Sequence, residues 1–157
     1  MTRPTKYSLR PATDKDYDFL YHLHRAAIRP TVEATWGWDE AFQADYFRSR
    51  WDLSRRQIIV VDGSDIGVVT LEERPGSVFL ALIEIQPAYQ GQGIGTAVIR
   101  EVMANAHRRG LPVELHILKA NARARRLYER LGFRLTEARA ERYVMRAPVP
   151  GPDAGLE

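Results

Sequence analysis

At 157 residues, with 45% hydrophobic and 27% charged positions, the chain suits one domain that buries roughly two-thirds of its unfolded surface. No apolar run approaches the ~20 residues a membrane span needs, and the absence of cysteine excludes disulfides and thiolate metal sites. The net charge of +3 is unevenly spread: Thr31 to Phe47 holds four acids and no Lys or Arg, whereas Arg100 to Arg146 holds twelve Lys or Arg against five acids. A basic half beside an acidic patch suits an enzyme that joins an anionic cofactor to a cationic substrate better than it suits a nucleic-acid binder. A cytoplasmic location is the default expectation. Met1-Thr-Arg-Pro-Thr-Lys leads into no apolar core, so no signal peptide is expected.

Tyr7 to Pro11 alternates as a first strand. Thr13-Asp-Lys-Asp16 has the form of a helix start, and Phe19, Leu20, Leu23, Ala27 and Ile28 recur at helical spacing until Pro30 is expected to end the helix. His22 and His24 lie inside it. At a spacing of two they point about 200° apart and cannot share a metal, so both read as structural or surface residues, with His24 the one to face a cleft. Thr31-Val-Glu-Ala-Thr-Trp-Gly-Trp-Asp39 follows. Trp36 and Trp38, with Glu33 near them, either line a pocket for an ammonium group or anchor the loop to the core. Asp39 caps a second helix, on which Phe42, Tyr46 and Trp51 are expected to face inward.

Gln57-Ile-Ile-Val-Val61 and Ile66-Gly-Val-Val-Thr-Leu71 flank Asp62-Gly63, the signature of a tight hairpin. A second turn, Arg74-Pro-Gly-Ser77, leads into a short apolar run from Phe79 to Ile85 that reads as a buried strand. Next comes Gln90-Gly-Gln-Gly-Ile-Gly-Thr96 and, at once, an amphipathic helix marked by Val98, Ile99, Val102, Met103 and Ala106 and ended by Gly110. Gly91, Gly93 and Gly95 remove the Cβ atoms that keep a ligand from the backbone, and the helix start offers unpaired N–H groups and a positive dipole end. Strand, glycine loop and helix N-terminus make an anion cradle, suited to phosphate. The third glycine comes one residue too early for the dinucleotide fingerprint, and no Lys-Ser/Thr follows as in the nucleoside-triphosphate loop.

Val113, Leu115 and Ile117 alternate as a fifth strand, a parallel crossover partner of the fourth. Asn121 caps a helix whose stripe is Ala124, Leu127, Tyr128 and Leu131, stopped at Gly132. Phe133 to Thr136 and Tyr143 to Arg146 form a last strand pair. A domain over 1–147 is expected, with 148–157 a loose tail rich in proline and glycine.

Gln90-Gly-Gln-Gly93-Ile-Gly95 resembles the acyl-coenzyme A pyrophosphate loop of the GNAT superfamily of N-acetyltransferases, matching Gln/Arg-x-x-Gly-x-Gly/Ala. Asn121, Ala124, Tyr128, Gly132 and Phe133 resemble that superfamily's C-terminal signature, Asn-x-x-Ala-x-x-x-Tyr-x-x-x-Gly-Phe. The resemblance spans roughly residues 55–147, and it implies an α+β acyl-CoA N-acyltransferase fold. That fold has a mixed, mostly antiparallel sheet of about six or seven strands flanked by about four helices, with strands 4 and 5 parallel and splayed. It further implies that an amine, on a small molecule or on a peptide or protein, attacks acetyl-CoA directly in a ternary complex. No metal, nucleic acid or membrane partner is expected, and dimers are common among relatives.

The resemblance assigns the cofactor contacts to Ile85, Gln90, Gly91, Gln92, Gly93, Ile94, Gly95, Thr96 and Asn121. Tyr128 matches the residue that protonates the departing thiolate in many relatives. Glu84, at the strand end, is the candidate base that frees the amine's lone pair, with Glu33 and then His24 as fallbacks. Glu33, Trp36, Trp38 and His24 are the candidate acceptor residues, pointing to a small cationic amine. The rival expectation is a non-catalytic, acyl-CoA-binding or regulatory protein of the same fold.

Overall fold

The computed structural model describes residues 6–151. In chain order the elements are β1 (Ser8–Pro11), α1 (Tyr17–Trp36), α2 (Glu40–Ser49), β2 (Arg56–Val61), β3 (Ser64–Arg74), β4 (Ser77–Ile85), α3 (Ile94–Arg108), β5 (Val113–Leu118), α4 (Ala122–Arg130), β6 (Arg134–Ala138) and β7 (Arg142–Ala147), with single 3-10 turns at Asp14–Asp16 and Pro87–Tyr89. The seven strands make one sheet in the order β1-β2-β3-β4-β5-β7-β6. All the pairings named below are antiparallel except β4 with β5, so the expected mixed sheet and four helices are present among the described residues. The chain falls into two compact units, one holding the residues up to Leu71 together with Leu82–Gly95, the other Glu72–Ala81 and the residues from Thr96 on.

In the first unit β1 pairs with β2 and β2 with β3, in a register that sets Leu9 opposite Ile59 and Ile58 opposite Val68. The β2–β3 turn is the expected one: Asp62 and Gly63 both take positive φ, 50° and 78°. Leu20 and Leu23 of α1, Phe47 of α2, Ala12, Ile58 and Val68 form its buried core, edged by Tyr17, Tyr21, Trp51 and Leu82. The start of α1 is fixed by charge. Arg10 on β1 donates from both terminal nitrogens to Asp16, at 3.0 and 2.8 Å, and from Nη2 to Asp65 at 2.8 Å.

Those hydrogen bonds from Arg10 hold the Asp16 carboxyl down at about 2. A group whose folded value lies below its ordinary 3.8 stabilises the fold above about pH 4, and that contribution is lost as pH falls through about 2. The shift corresponds to roughly 2 kcal/mol, reduced to about 1–2 because the Arg10 side chain is more than a third exposed. Urea unfolding should therefore find Asp16→Asn less stable by about 1–2 kcal/mol near neutrality, with the gap closing by about pH 2. A gap that holds constant down the whole acid range would remove Arg10–Asp16 as its cause.

Two expectations in this unit are corrected. Pro30 does not end the first helix, because α1 runs on to Trp36. The hydrogen bond that proline forfeits is offset by burial of Val32, by Thr35 Oγ1 donating to the Thr31 carbonyl at 3.0 Å and by Gly37 N–H donating to Glu33 at 3.1 Å. Asp39 does cap α2, accepting from Phe42 N at 3.0 Å. Phe42 and Tyr46, however, face outward at 59% and 46% exposure, and Phe47 is the residue that α2 buries.

In the second unit β4 and β5 run parallel and pair at Val78↔Val113 and Phe79↔Glu114. β5 then pairs antiparallel with β7 from Val113↔Ala147 to Leu118↔Arg142, and β7 with β6. Val98, Ile99, Val102 and Ala106 are the buried stripe of α3, as their spacing predicts. Positive φ at Gly110 and Gly132, 73° and 103°, lets the chain turn away from α3 and α4. Residues 148–151 follow β7 outside any helix or strand, while 152–157 of the expected tail lie outside the described residues.

Candidate functional site

Glu84 is placed by the strand that carries it. On one face of the first unit's sheet, β2 contributes Arg56 and Ile58, and β3 the residues paired with them, Thr70 and Val68. The Gln86 N–H donates to the Ile66 carbonyl at 2.8 Å, a contact that sets Glu84 beside Val68 on this same face. The Glu84 side chain is 4% exposed. Its Oε2 lies 2.8 Å from His24 Nδ1, while Oε1, like Thr70 Oγ1, is buried with no hydrogen-bond partner among the described residues. His24 stands one helical turn beyond Leu20, on the stripe α1 turns to the core, and its ring rests against Phe47 at 5.5 Å. Burial pushes the Arg56 guanidinium below its ordinary value, an effect opposed by Glu84 and Asp52. Arg56 lies over the rings of Trp51 and Phe47, at 5.1 and 5.5 Å.

Gly67 is what lets β4 come so close. A methyl group there would stand 2.5 Å from the Glu84 carbonyl oxygen and 3.3 Å from Ile59 Cδ1 and Ile85 Cγ1. Sequence reasoning named both His24 and Glu84 but did not join them, and it missed Gly67, Arg56 and Thr70. The signal for His24 was present in its spacing from Leu20.

The loop after β4 is shaped by its own side chains. Gln90 Nε2 donates back to the Ile85 carbonyl at 2.9 Å, and Gln92 Nε2 to the Ala88 carbonyl at 3.1 Å. Gly91 and Gly93 take φ of 75° and 83°, and a Cβ built at either would have no atom within 4 Å. Open space beside a left-handed glycine is room for a ligand at the backbone. Gly95 differs, since its Cβ would meet Ile85 Cδ1 at 3.2 Å, so this glycine serves the packing of α3 on the strand end. Ile94 is buried and anchors the first turn of α3, which Thr96 completes. An anion such as a diphosphate fits this loop, because the first amides of a fifteen-residue helix have no partner within it.

The Trp-Gly-Trp segment does not join the core. Trp36 ends α1 at 55% exposure, and Trp38 donates from Nε1 to Glu40 at 2.6 Å beneath the guanidinium of Arg29 at 5.3 Å. Its acids are already engaged. Glu33 pairs with Arg29 at 2.9 Å, Glu40 with Arg25 at 2.8 Å, Asp45 with Arg48 at 3.4 Å, and Asp39 caps α2.

In the second unit Asn121 Oδ1 accepts from Ala124 N at 3.0 Å and starts α4. Tyr128 is buried on that helix, edge-on to Phe133 at 5.4 Å, and the Phe133 N–H donates to the Tyr128 carbonyl at 3.0 Å. Burial pushes the Tyr128 phenol up to about 12, so it stays protonated throughout the neutral range. Within the first unit, then, the fold brings together Glu84 with His24 and Gln90 with Ile85. Within the second it sets Asn121 and Tyr128 on one helix. Among the described residues no group of three or more His, Asp or Glu is placed to hold a metal, and no helix is long and apolar enough to cross a membrane.

Comparison with known proteins bears on the fold and the family. An uncharacterised N-acetyltransferase of Methanocaldococcus jannaschii is 29% identical over 143 residues, a match covering 81% of this chain but 60% of that longer protein. The PaiA N-acetyltransferase of Thermoplasma acidophilum, solved in complex with coenzyme A, superposes with a TM-score of 0.75 at 15% identity, over 91% of this chain and 99% of that one. An acetyltransferase of Thermus thermophilus does so with a TM-score of 0.72 at 19% identity, over 94% and 99%. At such identities these two structures speak for the fold. The sequence itself carries the assignment further, since the model of the Acetyltransferase (GNAT) family matches residues 17–133, a span that includes both the glycine loop and the Asn121–Phe133 helix: the chain belongs to the GNAT acetyltransferase family.

Proposed function

We propose that this protein transfers an acetyl group from acetyl-CoA to a primary amine by direct attack in a ternary complex. The observation that carries the reading is the buried Glu84 carboxylate hydrogen-bonded to His24 at a strand end, immediately before a loop built for a diphosphate. Gln90, Gly91, Gln92, Gly93, Ile94, Gly95 and Thr96 hold the pyrophosphate through the loop and helix amides, with Ile85 at the strand end and Asn121 as further contacts. When bound, acetyl-CoA supplies an activated thioester as acyl donor.

The chain's own task is proton handling. An alkyl ammonium has no lone pair, so a proton must leave before the nitrogen can attack. The His24–Glu84 pair accepts it. The N–C bond then forms as the C–S bond breaks, and the products are an amide, a thiol and one proton for the solvent. Tyr128 serves the departing sulfur as a hydrogen-bond donor. A phenol at about 12 does not give its proton outright to a thiolate of roughly 8–9, so its part is to stabilise charge.

The acceptor is a primary amine of a small molecule or of a peptide. A small cationic amine would be held by the exposed face of Trp36 and by Trp38 rather than by free carboxylates, since Glu33 and Glu40 have arginine partners.

The test is a panel of small amines and of peptides with free N-termini or lysines, incubated with acetyl-CoA while thiol release is followed. Tyr128→Phe should lose about tenfold in kcat with coenzyme A affinity kept. No thiol release with any amine, together with tight coenzyme A binding, would instead make the protein a binder of that cofactor.

A further inference from the structure

Glu84 and His24 form a pair, but their surroundings give them different parts. The Glu84 side chain is 4% exposed and that of His24 25%. A group that touches an incoming amine must have surface to offer, and in this pair the imidazole has it. The hydrogen bond also fixes the tautomer. An ionised carboxylate can only accept, so at 2.8 Å from Oε2 it is Nδ1 that carries the hydrogen, and the lone pair stands on Nε2. Glu84 Oε1 adds a second, independent pull: a buried carboxylate with one unpaired oxygen is costly, and a positive imidazolium on its other oxygen offsets that cost. Of the other elements packed here, β2 presents Arg56, which interacts with Glu84, and α2 presents the uncharged ring of Phe47. Arg25, the next residue on α1, is drawn to Glu40 at 2.8 Å.

We infer that His24, through Nε2, is the catalytic group that takes the amine's proton, and that Glu84 is a positioning residue which fixes the imidazole's orientation and tautomer. The ammonium N–H bond breaks with its electron pair left on nitrogen, and the proton bonds to Nε2. The resulting imidazolium is held by the Glu84 carboxylate until it releases the proton to solvent. This rests on the transferase reading above, and its tests are chosen so that the two can fail separately.

The first measurement needs no substrate. Nitrogen-15 NMR of the histidine rings should find neutral His24 protonated at Nδ1, and Glu84→Ala should remove that preference, leaving both neutral tautomers populated. A wild-type ring protonated at Nε2, or a tautomer that Glu84→Ala leaves in place, overturns the inference whatever the activity. The second is the pH profile of kcat/KM with the best amine. His24→Gln should lose about 100-fold near neutrality together with the rising limb, and added imidazole should restore part of the activity of His24→Ala. Glu84→Gln should keep the limb at a rate about tenfold down. His24→Gln within about threefold of wild type, beside a Glu84→Gln with no limb at all, would make Glu84 itself the base. A wild-type protein that binds coenzyme A but acetylates no amine defeats the transferase reading, and the tautomer seen by NMR then decides by itself whether the pair is built as inferred.

Discussion

Gly93→Val should weaken coenzyme A binding about 30- to 100-fold and raise the KM for acetyl-CoA by as much, with the melting temperature nearly unchanged. Space is not the obstacle, because a Cβ at Gly93 would meet nothing within 4 Å. The obstacle is the backbone. Gly93 sits at φ 83°, and a β-branched residue in the left-handed region costs on the order of 1–3 kcal/mol. The loop is exposed and joined to the core through Ile94, so it relieves that strain by turning its peptide planes. Turning them points the amides away from the diphosphate, and two or three misdirected charge-assisted hydrogen bonds, at roughly 1 kcal/mol each, account for the loss. Gly91, at φ 75°, should behave alike, whereas Gly95→Ala presses on Ile85 Cδ1 and should act on stability as well. Isothermal titration with coenzyme A decides it: an affinity for Gly93→Val within about threefold of wild type would remove this loop from the site.

What the sequence yields directly is whatever short spacing determines. The Asp62-Gly63 turn needs two residues that tolerate positive φ, and they supply it. The stripe of α3 and the Asn121 cap on α4 follow from periodicity and from one side-chain oxygen at the right offset. Pro30 shows where such reasoning stops. Its local cost is real, but Val32 and the turn's other hydrogen bonds outweigh it, and burial of that kind has no local signature.

The consequence reaches the site. A helix that ended at Pro30 would leave Glu33 a free acid, and a helix that continues puts it one turn from Arg29 and pairs the two. The expectation of a free acid at Glu33 therefore turned on one helix boundary. The choice between Phe42, Tyr46 and Phe47 as the inward face of α2 was equally beyond pattern, because a ten-residue helix with three aromatics has more than one apolar stripe. His24 and Glu84, sixty positions apart, meet because β4 lies beside β3 in the sheet, on the face whose Ile58 and Val68 pack with Leu20 and Leu23 of α1.

Gly67→Ala is the second large effect, and it reaches the proton-handling pair without touching it. The added methyl would lie 2.5 Å from the Glu84 carbonyl oxygen, a separation that ordinary contacts do not allow, and the atom it meets is backbone rather than the end of a flexible side chain. Ile59 Cδ1 and Ile85 Cγ1, each at 3.3 Å, close off sideways escape, so β4 itself has to move by several tenths of an ångström or more. Forced overpacking of this kind costs about 1–3 kcal/mol, which urea unfolding should register. The larger consequence is chemical. The hydrogen bond between Glu84 and His24 is 2.8 Å long, and a shift of the strand that carries Glu84 lengthens it or turns it off line. Misplacement of a catalytic constellation by about 1 Å can cost up to about 100-fold in rate, but Gly67 acts only through Glu84, so kcat should fall about tenfold, as for Glu84→Gln, while coenzyme A affinity changes little. Measured at a low temperature where circular dichroism finds the variant fully folded, the rate loss is separate from the stability loss. A folded Gly67→Ala with wild-type rate would mean that the position of Glu84 does not govern the reaction.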